Sequence, residues 1–237
     1  MIPLKMKPII ILSAIKEEIQ DFLDHFSDIQ TQKDNNFITY HTNYLSMPVI
    51  LSTSGVGKVS AAMTTQYLIN KFNPETIFFT GIAGALNSSY EIGDIIIANI
   101  CIQYDIDASE LGFPPGTIPY TNYHTFSSDH KLLDISKNIK TKNTIHFGTI
   151  LTGDQFISHK KRINYQHLFD YFKGDAIEME GAALAHVCTH NNLPFMVIRT
   201  ISDKADETAP KDFNSFLKNA SERNFNVLKA LFEMICN

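Results

Sequence analysis

Apolar runs rich in β-branched residues recur along the chain and read as buried strands: Ile9–Ala14, Val49–Thr53, Thr76–Gly81, Asp94–Ile100, Thr144–Thr152 and Phe195–Ile201. Segments with helical spacing lie between them. Lys58 to Phe72 lines up Val59, Ala62, Met63, Gln66 and Ile69 on one face, and Gly181 to Asn191 lines up Ala182, Ala185 and His186. The last stretch repeats Phe213, Phe216, Leu217, Ala220, Val227, Leu228 and Leu231 as a core-facing stripe. Strands alternating with helices predict an α/β fold, a mostly parallel sheet with helices on both faces. No repeat, low-complexity tract or Pro/Gly/Ser linker interrupts the pattern, so residues 1–237 read as one domain.

Gln103 to Phe126 breaks the pattern. It has no periodicity and carries Gly112, Pro114, Pro115, Gly116 and Pro119 together with Tyr104, Phe113, Tyr120, Tyr123 and Phe126. An irregular loop of ~20 residues inside a compact domain tends to be functional. Its aromatic content suits a cover for an apolar ligand or a partner subunit.

Composition narrows the function. A hydrophobic content of 44% against 19% charged residues is enough to build a core, and a net charge of −5 argues against a nucleic-acid partner. Only Arg162, Arg199 and Arg223 among the 20 basic residues are arginines, so forked donors for a phosphate are scarce. Cys101, Cys188 and Cys236 show no CxxC spacing and suit a reducing, cytoplasmic setting. The apolar run Ile9 to Ile15 is too short to span a membrane and lacks a cleavage site, which leaves it as a strand. No metal-ligand cluster and no cofactor motif is present.

Ligands in sheets of this type bind beyond the carboxyl ends of the strands, and four such ends carry signals. Ala14-Ile-Lys-Glu-Glu18 opens a helix with two acids, an arrangement that helix electrostatics favours without any function. Ser54-Gly-Val-Gly-Lys58 superficially resembles a phosphate loop. Ser52 and Val59 occupy two positions the Walker pattern needs, however, and Ser60 breaks the dinucleotide pattern, which leaves a tight turn open to close approach. Thr80-Gly-Ile-Ala-Gly84 is a second small-residue turn. The fourth signal pairs Glu178-Met-Glu180 with Arg199 and Ser202-Asp203, ionisable groups at buried strand ends that form either a structural ion-pair cluster or a site.

Taken in order with Gly93-Asp94, Thr152-Gly-Asp154 and Gln155-Phe-Ile157, these pieces make the chain resemble the 5'-methylthioadenosine/S-adenosylhomocysteine nucleosidases, within the purine nucleoside phosphorylase fold family. The resemblance runs from Ile9 to the C-terminal helix. It implies three layers, α/β/α, around a central mixed, mostly parallel sheet. It also implies a homodimer that hydrolyses the N-glycosidic bond of methylthioadenosine, S-adenosylhomocysteine and 5'-deoxyadenosine. Asp203 is then the acid that protonates the purine N7, and Glu18 the base that orients and deprotonates water. Glu180 holds the ribose hydroxyls with Met179 packed on the sugar, and Arg199 orients Glu180 or the water. Phe156 stacks on adenine, the Ile157 backbone reads its edge, and Ser202 supports Asp203. Val56, Ile82, Ala83, Gly84 and Glu178 complete the substrate contacts. Phe213 walls the 5' pocket from its own chain; Ala108, Leu111 and Pro119 come from the partner subunit.

Three positions depart from the family pattern: Ile82 for a common serine, Tyr104 for a histidine, and Leu111 for a phenylalanine. They bear on substrate range and leave room for 6-amino-6-deoxyfutalosine as an alternative substrate. A phosphate-dependent phosphorylase is the other enzymatic alternative, disfavoured by the missing cationic clamp and by Glu18. A non-catalytic nucleoside-binding protein is disfavoured because all three acids are retained.

Overall fold

Ile9–Ser13 (β1) is buried along its whole length because it runs through the middle of the sheet. It pairs in parallel with Met47–Thr53 (β4) on one side and Thr76–Ala85 (β5) on the other. Beyond β4, Phe37–Tyr44 (β3) and Gln30–Asp34 (β2) continue antiparallel to the edge. β2 is polar and exposed, a composition that discourages further edge pairing. The computed structural model describes residues 6–157, 159–204 and 209–236; the side chains of 159–162, 168, 209–216 and 218 lie outside the described residues.

The ten-residue β5 is shared among three partners. Phe195–Asp203 (β10) runs parallel along one edge. The other edge holds β1 up to Phe79, then Ala176–Glu178 (β9) from Gly84 onward. Ile95–Gln103 (β6) joins β10 to Ile145–Thr152 (β8), with the two-residue strand Phe126–Ser127 (β7) on its margin, and β8 pairs with β9. Because β9 returns to β5, the strands β5, β10, β6, β8 and β9 close into a ring, while β1, β4, β3 and β2 form an open wing. The sheet is mixed, as expected; the closed ring was not foreseen.

Alternation along the central strands separates two cores. Ile10, Leu12, Ile77 and Phe79 pack toward Lys58–Phe72 (α2) and Gly181–His190 (α5) through Leu68, Leu184 and Cys188. Ile9, Ile11 and Phe78 face the opposite way. They meet Phe22 of Gln20–His25 (α1), Leu132 of His130–Ser136 (α3), and Leu228 and Leu231 of Ala209–Cys236 (α6). A third cluster packs Phe169 and Phe172 of His159–Phe172 (α4) on Tyr104 and Leu151. Helices therefore cover both faces of the sheet. No helix among the described residues is long and apolar enough to cross a membrane.

The face expected for α2 needs correction. Val59 and Met63 are 77% and 56% exposed, and the helix buries Ala61, Thr64, Thr65 and Leu68 instead. Small and hydroxyl-bearing residues let α2 lie close to α5; of the apolar residues that suggested a core stripe, Val59 and Met63 point outward, whereas Ile69 packs against the core. The irregular loop is tied down by its own bonds, Gly116 N–H to Ile106 O at 2.7 Å and Ile118 N–H to Tyr123 O at 2.9 Å. Tyr123 and Phe126 rest on His186, with ring centroids 5.1 and 4.9 Å away. Leu68→Ala is expected to lower the unfolding free energy by about 2–5 kcal/mol in urea titrations. Asn70→Ala, on the exposed side of the same turn, should change it by less than about 0.5 kcal/mol; comparable losses would refute this orientation.

Candidate active site

The site begins where β5 changes partners. Between Phe79, the last residue paired with β1, and Gly84, the first paired with β9, one edge of β5 has no strand beside it. This is the kind of split between strands at which α/β sheets bind ligands. Glu18 fills part of it. The chain leaving β1 turns through a 3-10 helix, Lys16–Ile19, which leaves Glu17 exposed and buries Glu18. The Glu18 carboxylate accepts N–H bonds from Ala14 at 3.0 Å and Ile15 at 3.2 Å through Oε2, and from Ile82 at 3.1 Å through Oε1. Burial raises its pKa against the lowering effect of Arg199 and these N–H groups.

Arg199 lies on β10 beside Gly81 and is 1% exposed. Its guanidinium stacks 4.3 Å above the Phe79 ring, donates to the carbonyls of Phe79 and Ile198, and pairs with Glu178 at 2.7 Å. A Cβ on Gly81 would stand 2.6 Å from Glu18 Oε1 and 3.2 Å from Arg199 Nη1, so only glycine leaves room for both groups. Burial opposes the guanidinium's charge, yet Glu178, Glu18 and Glu180 together raise its pKa. The carboxylate expected to meet Arg199 is therefore Glu178, which also caps α5. Glu178 accepts from the N–H of Glu180 at 3.0 Å, from the N–H of Gly181 at 2.7 Å, and from the Thr152 hydroxyl.

Glu180 follows as the residue before α5, and its Oε1 accepts the Gly57 N–H at 2.7 Å. Its pKa rises to about 8, first from removal from water and then from Glu178, with Glu18 adding to the rise; the Gly57 N–H and Arg199 oppose it. Asp203 ends β10. A bulge between Ile201 and Asp203 places Ser202 out of register and sets Asp203 opposite Gly84. The Ser202 hydroxyl donates to Asp203 Oδ2 at 2.7 Å. Gly84, Phe156, Ile157, Glu178, Met179 and Asp203 border a cavity of about 40 Å³, so these expected contacts are brought together.

The glycine loop that resembles a phosphate cradle is already occupied by the protein's own anions. Gly57 N–H serves Glu180, Lys58 N–H serves Asp154 at 2.8 Å, and Gly55 N–H serves the Ala14 carbonyl at 2.9 Å. Anions at a helix N-terminus satisfy its free N–H groups and its dipole, so an incoming phosphate would have to compete with Glu180 and Asp154 for the Gly57 and Lys58 N–H groups. Among the described residues no group of three His, Cys, Asp or Glu side chains is placed to hold a metal ion.

Other expected residues stand apart. Val56 is exposed and it is its neighbour Gly57 that reaches Glu180; Ile82 contributes its N–H to Glu18. The Ala83 carbonyl lies 3.4 Å from the Ser202 hydroxyl. Leu111 is 70% exposed and Ala108 and Pro119 are half-buried, all on the irregular loop. The side chain of Phe213 lies outside the described residues. Thr152, the first residue of Thr152-Gly-Asp154, links Glu178 to α5 by accepting the Ala182 N–H at 2.8 Å. Asn224 was missed altogether. Fully buried on α6, it accepts from Thr200 at 2.9 Å and donates to the Gly81 carbonyl at 2.8 Å. Its one sequence signal is a polar residue inside an apolar helical stripe.

Two outcomes follow from this electrostatic arrangement. Glu178→Gln leaves a buried guanidinium without its partner and should cost about 3–5 kcal/mol of stability in urea unfolding; a loss below about 1 kcal/mol would contradict the pair's role. Glu180, with a folded pKa above its ordinary 4.5, stabilises the fold fully below that value and loses this contribution as pH rises toward about 8. Wild-type stability should therefore fall relative to Glu180→Gln across that window, by up to roughly 1.4 kcal/mol per pH unit. Parallel pH profiles for the two proteins would contradict it.

Residues 8–233 match the model of the phosphorylase superfamily. An aminodeoxyfutalosine nucleosidase of Campylobacter jejuni is 34% identical, covering 97% of this chain and 100% of its own. A 5'-methylthioadenosine/S-adenosylhomocysteine nucleosidase of Staphylococcus haemolyticus is also 34% identical, covering 95% and 99%. The structure of the corresponding S. pneumoniae nucleosidase with a transition-state inhibitor superposes with a TM-score of 0.90 at 30% identity, covering 96% and 99%. With β5 split between two partners and its carboxylates gathered around one buried arginine, the chain belongs to the phosphorylase superfamily, within its nucleosidase family.

Proposed function

We propose that this chain hydrolyses the N-glycosidic bond of 5'-methylthioadenosine and S-adenosylhomocysteine, and of 5'-deoxyadenosine, releasing adenine and the 5-substituted ribose. The observation that carries this reading is the placement of Glu18 and Asp203 along one stretch of β5. Glu18 lies against Gly81 and Asp203 is opposite Gly84, anchor points three residues, or roughly 10 Å, apart along the strand. That span accommodates an attacking water on one side of a sugar and a leaving base on the other.

Asp203, steadied by the Ser202 hydroxyl, delivers a proton to N7 so that adenine leaves neutral. Glu18, its pKa raised by burial, deprotonates the water and stabilises positive charge developing at C1'. Glu180 accepts the ribose 2'- and 3'-hydroxyls, Met179 packs on the sugar, Phe156 stacks on adenine and the Ile157 backbone reads its edge. Arg199 acts through Glu178, which fixes the turn that presents Glu180. Residues 1–237 work as one domain in a homodimer, with Phe213 lining the 5' pocket and Ala108, Leu111 and Pro119 closing that of the partner. Exposed apolar residues on the glycine loop, α2 and the irregular loop (Val56, Val59, Met63, Leu111 and Tyr120) support a partner subunit. A cytoplasmic role in methionine salvage fits three free cysteines, two of them buried.

The Campylobacter relative supports a second substrate, 6-amino-6-deoxyfutalosine, consistent with Leu111 as a smaller wall than phenylalanine. Relative turnover of methylthioadenosine, S-adenosylhomocysteine and 6-amino-6-deoxyfutalosine distinguishes the readings. For the main reading, adenine should be released in phosphate-free buffer, and strict phosphate dependence would refute it. Asp203→Asn should lower kcat about 10²–10⁴-fold while nucleoside binding, followed by calorimetry, changes little; wild-type turnover in that variant would remove Asp203 from the chemistry.

A further inference from the structure

Next to Glu180 three segments of the chain are joined in a closed circuit. The Lys58 N–H donates to Asp154 Oδ1 at 2.8 Å, the Asp154 N–H donates to Asp105 Oδ2 at 3.0 Å, and the Lys58 ammonium returns to Asp105 Oδ1 at 2.6 Å. Lys58 opens α2, Asp154 follows β8, and Asp105 lies near the start of the irregular loop, two residues after β6 ends. The Lys58 and Asp105 side chains are only 18% and 19% exposed, so their attraction is less screened than that of an open surface pair.

What the circuit holds is Gly57. Gly55 and Gly57 both have positive φ, at +82° and +91°, so this loop has little conformational preference of its own. A Cβ at Gly57 would lie 3.0 Å from Asp154 Oδ1, so the loop backbone is pressed against that carboxylate. One residue from the anchored Lys58, the Gly57 N–H donates to Glu180. Glu178 and Glu18 both repel a charge there, so that N–H and Arg199 favour the ionised carboxylate against its neighbours.

We propose that Lys58, Asp105 and Asp154 are positioning residues for Glu180: they lock the Gly57 N–H onto its carboxylate and so determine how tightly the ribose hydroxyls are gripped. This rests on the assignment of Glu180 to the ribose. None of the three residues needs to touch the reacting atoms. The circuit also ties the irregular loop to the sugar site, because Asp105 lies within the first residues of that loop.

The test compares kcat/KM for methylthioadenosine and its 2',3'-dideoxy counterpart in wild type, Lys58→Met, Lys58→Arg, Asp105→Asn and Glu180→Gln. Lys58→Met should lose about 10–100-fold on the ribonucleoside, the scale of a misplaced binding group, and less than about 3-fold on the dideoxy compound. Lys58→Arg should restore most of the loss, and Asp105→Asn should reproduce the same selectivity even where Lys58→Met fails to fold. Equal losses on both substrates, with Glu180→Gln still discriminating them, would overturn the proposal while leaving Glu180 on the ribose. Failure of Glu180→Gln to discriminate would sink the ribose assignment and this proposal with it.

Discussion

One buried guanidinium organises this molecule. Arg199 is out of water, over the Phe79 ring, and surrounded by Glu178, Glu18 and Glu180. A charge in that position is tolerable only because its partners are held in place, and the carboxylates are tolerable only because the charge is there. Glu178 meets it directly and caps a helix; Glu18 crowds Gly81 beside it; Glu180 lies two residues beyond Glu178. Remove the arginine and three acids share one cleft without a counter-charge.

The fold supplies this cleft by giving β5 two successive neighbours on one edge. Strand pairing consumes backbone donors, so a strand end that serves a site needs a place where pairing lapses. Here it lapses between Phe79 and Gly84, and the freed Ile82 N–H goes to Glu18. On the other edge, the bulge at Ser202 turns Asp203 toward the same region. Both acids are thus positioned by departures from regular pairing, each backed by strands that close into a ring.

The long apolar strands were legible because burial on both faces leaves an unbroken hydrophobic run, as in β1, β5 and β10. β2, a polar edge strand, was not, nor was β3, whose burial is broken and whose apolar and polar residues are mixed, and the three-residue β9 is too short to carry a period. The α2 stripe misled because the helix packs through alanine and threonine. Within the site, Glu178, Glu180, Arg199 and Asp203 stood out as charges beside apolar strands. Glu17 and Glu18 look alike in the sequence, and only the turn after β1 separates an exposed acid from a buried one. The spacing of Glu178 and Glu180 hid which of them meets Arg199, since the chain leaves the strand between them. Asn224 and the Lys58 circuit depend on contacts between distant segments, which local pattern cannot carry.

The glycine loop has a consequence for how such a scaffold changes its co-substrate. Its Gly57 and Lys58 N–H groups are engaged by Glu180 and Asp154, so two of the protein's own carboxylates stand where an external anion would seek donors. Converting water chemistry into phosphate chemistry would therefore begin with subtraction. Internal anions would have to leave before any cation added to the rim could attract an external one. Since Glu180 is also assigned to the sugar, that first step would erode substrate binding, and the two chemistries are separated by a valley of poorer enzymes rather than by one favourable substitution.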